Sequence, residues 1–338
     1  MSKLSEKIIM AHGGGGILTR RLIEELILPR FRNPQLEPLE DAAIVDLEAG
    51  EWALTTDSYV VTPHFFKGGD IGKLAICGTV NDVSMAGASP KYLTVSFILE
   101  EGFPLESLEK IVDSMAETAR EAGVILATGD TKVVERGAGN GIFINTAGIG
   151  KRYPGVRPSL SGAKPGDVII INGYLGDHGI AILSEREGLK FSTPIASDVA
   201  PLNSLISELV SEVKEIHSLH DPTRGGLAAG LNELAKSSGV GVVLNEEDIP
   251  IRPEIQGACD LLGLDPLQVA NEGKVVIVCP SVYRDQVLAC LRKNRYGQES
   301  VCIGEVTENH PGQVLLHTTI GGQRLVDVPY GESLPRIC

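Results

Sequence analysis

The chain of 338 residues carries a formal net charge of -14, which repels polyanions and argues against nucleic acid or an anionic membrane surface as a partner. Its 43% hydrophobic content suffices for a sizeable core, and the length fits two domains better than one or three. With 4% aromatic residues against 39 glycines and 19 prolines, the expected core is Val, Ile, Leu and Ala between many turns, which suits a mixed α/β protein.

The opening MSKLSEKIIMAHGGGG lacks the basic-then-apolar form of a signal peptide. No run of about 18 apolar residues follows it. A cytoplasmic protein with no membrane partner is predicted. The six cysteines, Cys77, Cys259, Cys279, Cys290, Cys302 and Cys338, include no C-x-x-C pair, so reduced thiols are expected rather than structural zinc or disulfides.

In HGGGGILTRRLIEEL a glycine run precedes an amphipathic helix, an arrangement that lets backbone N–H groups approach a phosphate; a plain flexible loop is the alternative. Neither common nucleotide loop is present. GGDIGKL misses the P-loop spacing and has Leu74 where Ser or Thr is required, and Leu18 stands at the last glycine position of G-x-G-x-x-G.

The runs AAIVDL, EWALTT, YLTVSFIL, GVILAT and GIFINTAGIG, from about residue 42 to 150, read as strands. After Pro104, the residues Leu105, Leu108, Ile111, Val112, Met115 and Ala119 recur at helical spacing, with Gly123 as a stop. Residues 68–88 fit one helix with the apolar stripe Ile71, Leu74, Ala75, Gly78, Met85 and Ala86. At 100° per residue Asp82 falls about 20° from the centre of that stripe. A core-facing carboxylate must meet a cation, a metal, several donors or a polar cavity, or serve as a buried cap or salt bridge. Asn81 stands beside it.

Residues 151–166 are rich in Pro, Gly and Ser, and place a domain boundary there, giving 1–150 and 151–328. The second half reads as the strand DVIIING, helices at GIAILSERE, LNSLISELVSEV and GGLAAGLNELAKSSG, then the strands VGVVLN, KVVIVCP, SVCIGEV, GQVLLHT and QRLVDVP. The last ten residues, 329–338, PYGESLPRIC, read as a solvent-exposed tail.

Several acids fall where elements hand over to loops. Asp57 closes EWALTTD, Asp130 closes VILATGD ahead of Thr131 and Lys132, Asp41 precedes AAIVDL, and Asp221 in HDPTRGGL precedes a helix. Each alone is readily a turn or cap residue. With Asp82 they suggest Mg²⁺, which takes oxygen ligands and bridges to phosphate. Lys132 and Glu272 are candidate proton-transfer groups if the fold joins them. Cys338 is a terminal thiol beside Arg336, a neighbour that favours thiolate; an exposed cysteine without chemistry is the alternative.

The set TTDSYVVTPHFF, GGDIGKLAICGTVNDVSMAG, GDTKVVERG, HDPTRGGL and PRIC closely resembles, end to end, the HypE family of hydrogenase maturation factors. It is similar more distantly to selenophosphate synthetase, thiamine monophosphate kinase and aminoimidazole ribonucleotide synthetase. The resemblance implies a two-domain α/β fold of the aminoimidazole ribonucleotide synthetase type with a mobile C-terminal tail, pairing as a homodimer through the N-terminal sheet. It implies ATP and Mg²⁺ as cofactors. By similarity Asp41, Asp82 and Asp221 become the Mg²⁺-associated acids, while Asp57, Lys67, Asp70, Asn81, Asp82, Gly129, Asp130 and Thr131 line the nucleotide site.

In that family Cys338 would accept a carbamoyl group from the carbamoyltransferase HypF, and ATP-dependent dehydration would turn it into a thiocyanate. The HypC–HypD pair would take the cyanide onward to the nickel–iron centre. Glu272, with Lys132 tuning or relaying, is the expected base. The resemblance to selenophosphate synthetase stops at the glycine loop, where a reactive cysteine is replaced by His12-Gly13-Gly14. Two other readings stay open at this level: a small-molecule kinase or amidine-forming synthetase of the same superfamily, and a nucleotide-responsive assembly factor acting without covalent chemistry.

Overall fold

The structure is a computed structural model that describes residues 6–40, 42–189, 195–328 and 336–338. A helical rod opens the N-terminal half: α1 (Ile17–Leu22), a π turn and α2 (Leu28–Phe31). Next come β1 (Trp52–Tyr59), the short ribbon β2 (Phe65–Phe66) and β3 (Gly69–Asp70), and α3 (Ile71–Met85). They are followed by β4 (Ala88–Glu100), α4 (Leu105–Ala122), β5 (Ile125–Val134) and β6 (Ile142–Arg152). One sheet has the order β1-β6-β4-β5, with β4 and β5 parallel across the α4 crossover and the other pairs antiparallel.

Helix α4 forms where its spacing predicts. Ile111, Val112 and Met115 are fully buried, and Gly123 ends the helix at φ 68, a left-handed conformation that glycine adopts without a Cβ penalty. The segment AAIVDL forms no strand: residues 42–49 are irregular and Ile44 is 81% exposed. Apolar composition alone does not make a strand, because a strand also needs a partner ladder.

The second half supplies β7 (Asp167–Ile171), α5 (Asp177–Glu187), α6 (Asn203–Glu212), β8 (Ser218–His220), α7 (Gly226–Ser238), β9 (Gly241–Asn245) and α8 (Pro253–Leu262). Then follow β10 (Val276–Pro280), α9 (Arg284–Leu291), β11 (Val301–Thr307), β12 (Val314–His317) and β13 (Gln323–Leu325). Their sheet runs β13-β12-β9-β11-β7-β10-β8. Among the described residues no helix is long and apolar enough to cross a membrane.

Helix α3 is not amphipathic. Leu74, Ala75, Ile76, Cys77, Val80 and Val83 are all fully buried, because β1 and β6 cover one side and α4 and α6 contact it from elsewhere. Gly78 gives Tyr59 its place: a Cβ there would lie 2.2 Å from the Tyr59 hydroxyl oxygen. One apolar cluster joins α3 and α4 to α5 and α8, so the two halves share a core.

Asn81 pins them together. Its amide donates to the Ala200 carbonyl at 3.1 Å and accepts from the Leu202 N–H at 2.8 Å. Asn81→Ala leaves these buried backbone groups unpaired and is expected to lower stability by about 1–3 kcal/mol in thermal or denaturant unfolding.

Candidate functional site

Four elements bring acids together behind α3. Thr55 and Asp57 lie on β1, Asp82 on the last turn of α3, Asp221 directly after β8, and Glu272 in the segment leading to β10. The Thr55 hydroxyl donates to Asp82 Oδ2 at 2.7 Å. Burial first, then the charges of Asp221 and Asp57, push the Asp82 carboxyl up to about 6. Asp221 is likewise pushed up to about 6, by burial and then by Asp57.

Glu272 is the most constrained of the group. Its carboxyl is held well above the ordinary value by burial and then by Asp221, Asp198, Asp57 and Asp82. Its Oε1 is buried and makes no hydrogen bond among the described residues. The backbone is fixed, by contrast: the N–H groups of Glu272 and Gly273 donate to Asp198 at 3.0 and 3.3 Å. Asp198 also accepts from Lys274 Nζ at 2.7 Å; burial pushes its carboxyl up, but Lys274, His178 and the Glu272 N–H together offset that and keep it low. Only glycine fits at 273, where a Cβ would sit 1.9 Å from the Asp198 carbonyl oxygen.

Such a group suits a hard divalent cation. Asp57, Asp82 and Asp221 offer oxygen donors whose mutual repulsion is not neutralised by the buried Lys274, since that lysine is paired with Asp198. Among the described residues no three His, Cys, Asp or Glu side chains stand close enough to hold an ion directly. Mg²⁺ tolerates that arrangement, because it keeps several waters and leans on one or two carboxylates plus substrate phosphates. Asp41, the remaining expected ligand, lies outside the described residues.

A separate cavity of about 230 Å³ lies between the N-terminal rod and β4–β5. Ile23, Ile27, Phe31 and Leu126 give it apolar walls, while Gly13, Gly15, Asp130 and Lys132 give it a polar side. The glycine run is used for close approach at one point: a Cβ on Gly13 would lie 2.4 Å from the Val133 nitrogen. Gly129 is needed for the same reason, its Cβ position being 2.5 Å from the Val95 carbonyl oxygen. Thr131 is buried beside them.

Several expected site residues have other duties here. The Asp70 carboxylate caps α3, accepting from Gly72 and Lys73 N–H at 2.7 and 3.1 Å. Asn81 is committed to backbone across the two halves. Lys67 is exposed, and its carbonyl accepts from the Ser197 N–H at 2.8 Å. Lys132 does not join Glu272. It pairs with Asp130 at 2.9 Å, because alternation along β5 puts residues 130 and 132 on the same face.

The chain end is docked, contrary to the expectation of a solvent-exposed segment. Ile337 is 5% exposed and lies in the shared core, with Cys338 half-buried against it. The Cys338 carbonyl oxygen accepts from Val60 N–H and the Arg336 carbonyl from Thr62 N–H, both at 3.2 Å. Residues 329–335 of the expected tail lie outside the described residues. Asp198 and Lys274 sit in stretches with no motif of their own; Thr55 and His220, which flank Asp82, lie inside the motif stretches TTDSYVVTPHFF and HDPTRGGL, where the acids rather than these residues drew the reading.

Residues 39–151 match the AIR synthase related protein N-terminal domain, and residues 164–317 match the corresponding C-terminal domain. The chain is 51% identical over 335 residues to carbamoyl dehydratase HypE of Cupriavidus necator, covering 99% of this chain and 95% of that one. A crystal structure of hydrogenase maturation protein HypE in complex with ATP is similar with a TM-score of 0.95 at 49% identity, covering 98% of this chain and 99% of that one. The HypE–HypF complex contains a chain similar at a TM-score of 0.81 and 51% identity, over 91% of this chain and 99% of that one. Matched along nearly its whole length by sequence and by fold, the chain belongs to the HypE family of carbamoyl dehydratases.

Proposed function

We propose that this chain dehydrates the carbamoylated thiol of its own Cys338 to a thiocyanate, using ATP, and so supplies cyanide for the nickel–iron hydrogenase centre. The observation that carries the reading is the place where the chain end docks. Val60, whose N–H holds Cys338, directly follows the strand β1 that carries Thr55 and Asp57, three residues on from Asp57, a separation of about 10 Å along extended chain.

The overall conversion balances as R–S–C(=O)–NH₂ plus ATP giving R–S–C≡N, ADP, phosphate and a proton. Mg²⁺–ATP supplies the phosphoryl group that makes the amide oxygen a leaving group. Asp82 and Asp221, with Asp41, would hold the metal, and Asp57 adds to the same field. The apolar cavity behind Gly13 suits the nucleobase, with Asp130 and Lys132 on its polar side. Glu272 takes the amide protons: an ionised carboxylate whose conjugate acid is weak is the stronger base, and its Oε1 is not engaged. Lys132, paired with Asp130, serves phosphate charge better than proton relay.

A HypF-type carbamoyltransferase is the proposed donor, and a HypC–HypD-type pair the acceptor. The proposed assembly is a homodimer through the outer face of the N-terminal sheet. There Leu54 and Ile98 are 75% and 40% exposed, and they stand beside Ile149 and Phe143 in register. Cytoplasmic residence fits the cysteines, none of which forms a disulfide.

Mass analysis of the C-terminal peptide tests the reading. After incubation with the carbamoyltransferase, carbamoyl phosphate and ATP, Cys338 gains one carbamoyl group and then loses one water. A peptide that stays unmodified, or that stops at the carbamoyl stage in the wild type, overturns it.

A further inference from the structure

The docked chain end is held from both halves of the molecule, and its hydrogen bonds alternate. Carbonyls of Arg336 and Cys338 accept from the N-terminal half, at Thr62 and Val60 N–H. The Ile337 carbonyl between them turns the other way and meets His178 Nε2 of α5 at 2.7 Å. Arg186, about two turns further along α5, donates through Nη2 to both the Thr62 and the Arg336 carbonyls, at 2.8 and 2.6 Å.

The proton on His178 can be assigned from its partners. A carbonyl oxygen only accepts, so Nε2 carries the hydrogen that Ile337 receives. His178 is fully buried and is held below its ordinary pKa by that burial, so the ring is neutral and Nδ1 is an acceptor. Ser197 Oγ, 2.7 Å from Nδ1, must then donate to it, while itself accepting from the Val199 N–H at 3.1 Å. Every hydrogen bond in this chain has one direction. Phe66 packs edge-on against the ring, with centroids 5.6 Å apart, and fixes its plane.

We propose that His178 is a positioning residue for the reactive thiol: with Ser197 setting its tautomer, it reads the Ile337 carbonyl and so fixes which residue of the chain end presents its side chain at the end of β1. The buried Ile337 side chain provides the matching anchor. A slip of one residue would turn a carbonyl away from His178 and put a different side chain in the anchor site, because alternate residues face opposite ways. This inference rests on the reading of Cys338 as the carrier, but its test needs no turnover.

Alkylation of Cys338 by iodoacetamide, followed by peptide mass analysis without nucleotide or transferase, reports docking alone. His178→Phe should raise the Cys338 rate about fivefold, the factor for losing one hydrogen bond, with His178→Gln restoring much of the protection through its amide N–H. Ile337→Ala removes the anchor while keeping the backbone carbonyl that meets His178, and should give an increase of the same direction. Independently, ¹⁵N-histidine NMR of the full chain should show His178 as the Nε2–H tautomer with a slowly exchanging proton, and that protection should vanish in a chain ending at Pro335. Unchanged alkylation in both His178→Phe and Ile337→Ala, or an Nδ1–H tautomer, overturns the proposal. If docking behaves as stated and no thiocyanate forms, the dehydratase reading fails and the receptor stands.

Discussion

Glu272→Gln should stop conversion at the carbamoyl stage, slowing thiocyanate formation by about 10²–10⁴-fold, the range a positioned general base contributes. Carbamoylated Cys338 should accumulate, because acceptance of the carbamoyl group does not require this base. The substitution keeps the volume and the fixed backbone, whose N–H groups donate to Asp198 regardless of the side chain. It removes only the capacity to take a proton. Since the carboxyl sits well above its ordinary pKa through burial and the neighbouring acids, the wild-type rate should rise with pH as Glu272 ionises, and the residual rate of the variant should lose that dependence. Single-turnover conversion followed by mass across a pH series is the measurement. Wild-type rates for Glu272→Gln would remove this residue from the chemistry.

Asp82→Asn should separate stability from function. The Asp82 carboxyl moves from 3.8 to about 6 in the folded chain. Below about pH 4 the group is protonated whether folded or not and costs nothing. Between pH 4 and 6 the folded chain holds a proton that the unfolded chain has released, so stability falls as pH rises, and above about 6 the full penalty applies. That penalty is on the order of 1–3 kcal/mol, after discounting for its partial exposure and its coupling to Asp221. Without metal, Asp82→Asn should therefore raise the unfolding temperature at pH 7.5 and lose most of this advantage by pH 4. Millimolar Mg²⁺ with nucleotide should stabilise the wild type more than the variant. ATP turnover should fall by at least about 10²-fold, as for loss of a group that stabilises developing charge. A stability gain of equal size at both pH values would mean that ionisation of Asp82 is not its source.

Much of this architecture was readable from periodicity. The α4 spacing, its Gly123 stop and the strands at EWALTT, YLTVSFIL and GIFINTAGIG all form, because each combines a strong period with a clear turn signal. The segment AAIVDL shows the limit: composition suggested a strand, but pairing is decided by what lies beside it. Helices α8 and α9 were missed because at ten and eight residues they are too short for a period to stand out. Asp82 was found from one helix alone, as a charge on an apolar face. Its companions Thr55, Asp221 and Glu272 come from β1, the turn after β8 and the approach to β10, and only the tertiary fold joins them. The Asp198–Lys274 pair, which fixes Glu272 from behind, spans 76 positions of sequence and left no local trace.

The apolar cluster that runs from α3 and α4 into α5 and α8 bears on how the site is entered. A two-lobed enzyme commonly admits its nucleotide by swinging one lobe on a hinge, and such a swing requires an interface that can part at low cost. Here the seam is core, with Ile71, Ile180 and Ile255 fully buried in one cluster, and opening it would expose that surface to water. Traffic through the site then falls to thin pieces of chain. The glycine-rich entrance to α1 and the last residues at the C-terminus are thin by comparison: releasing the chain end breaks a few hydrogen bonds and uncovers one buried side chain, Ile337, while the body that holds the acids in register stays still. In mechanical terms the molecule is a fixed anvil with two small latches.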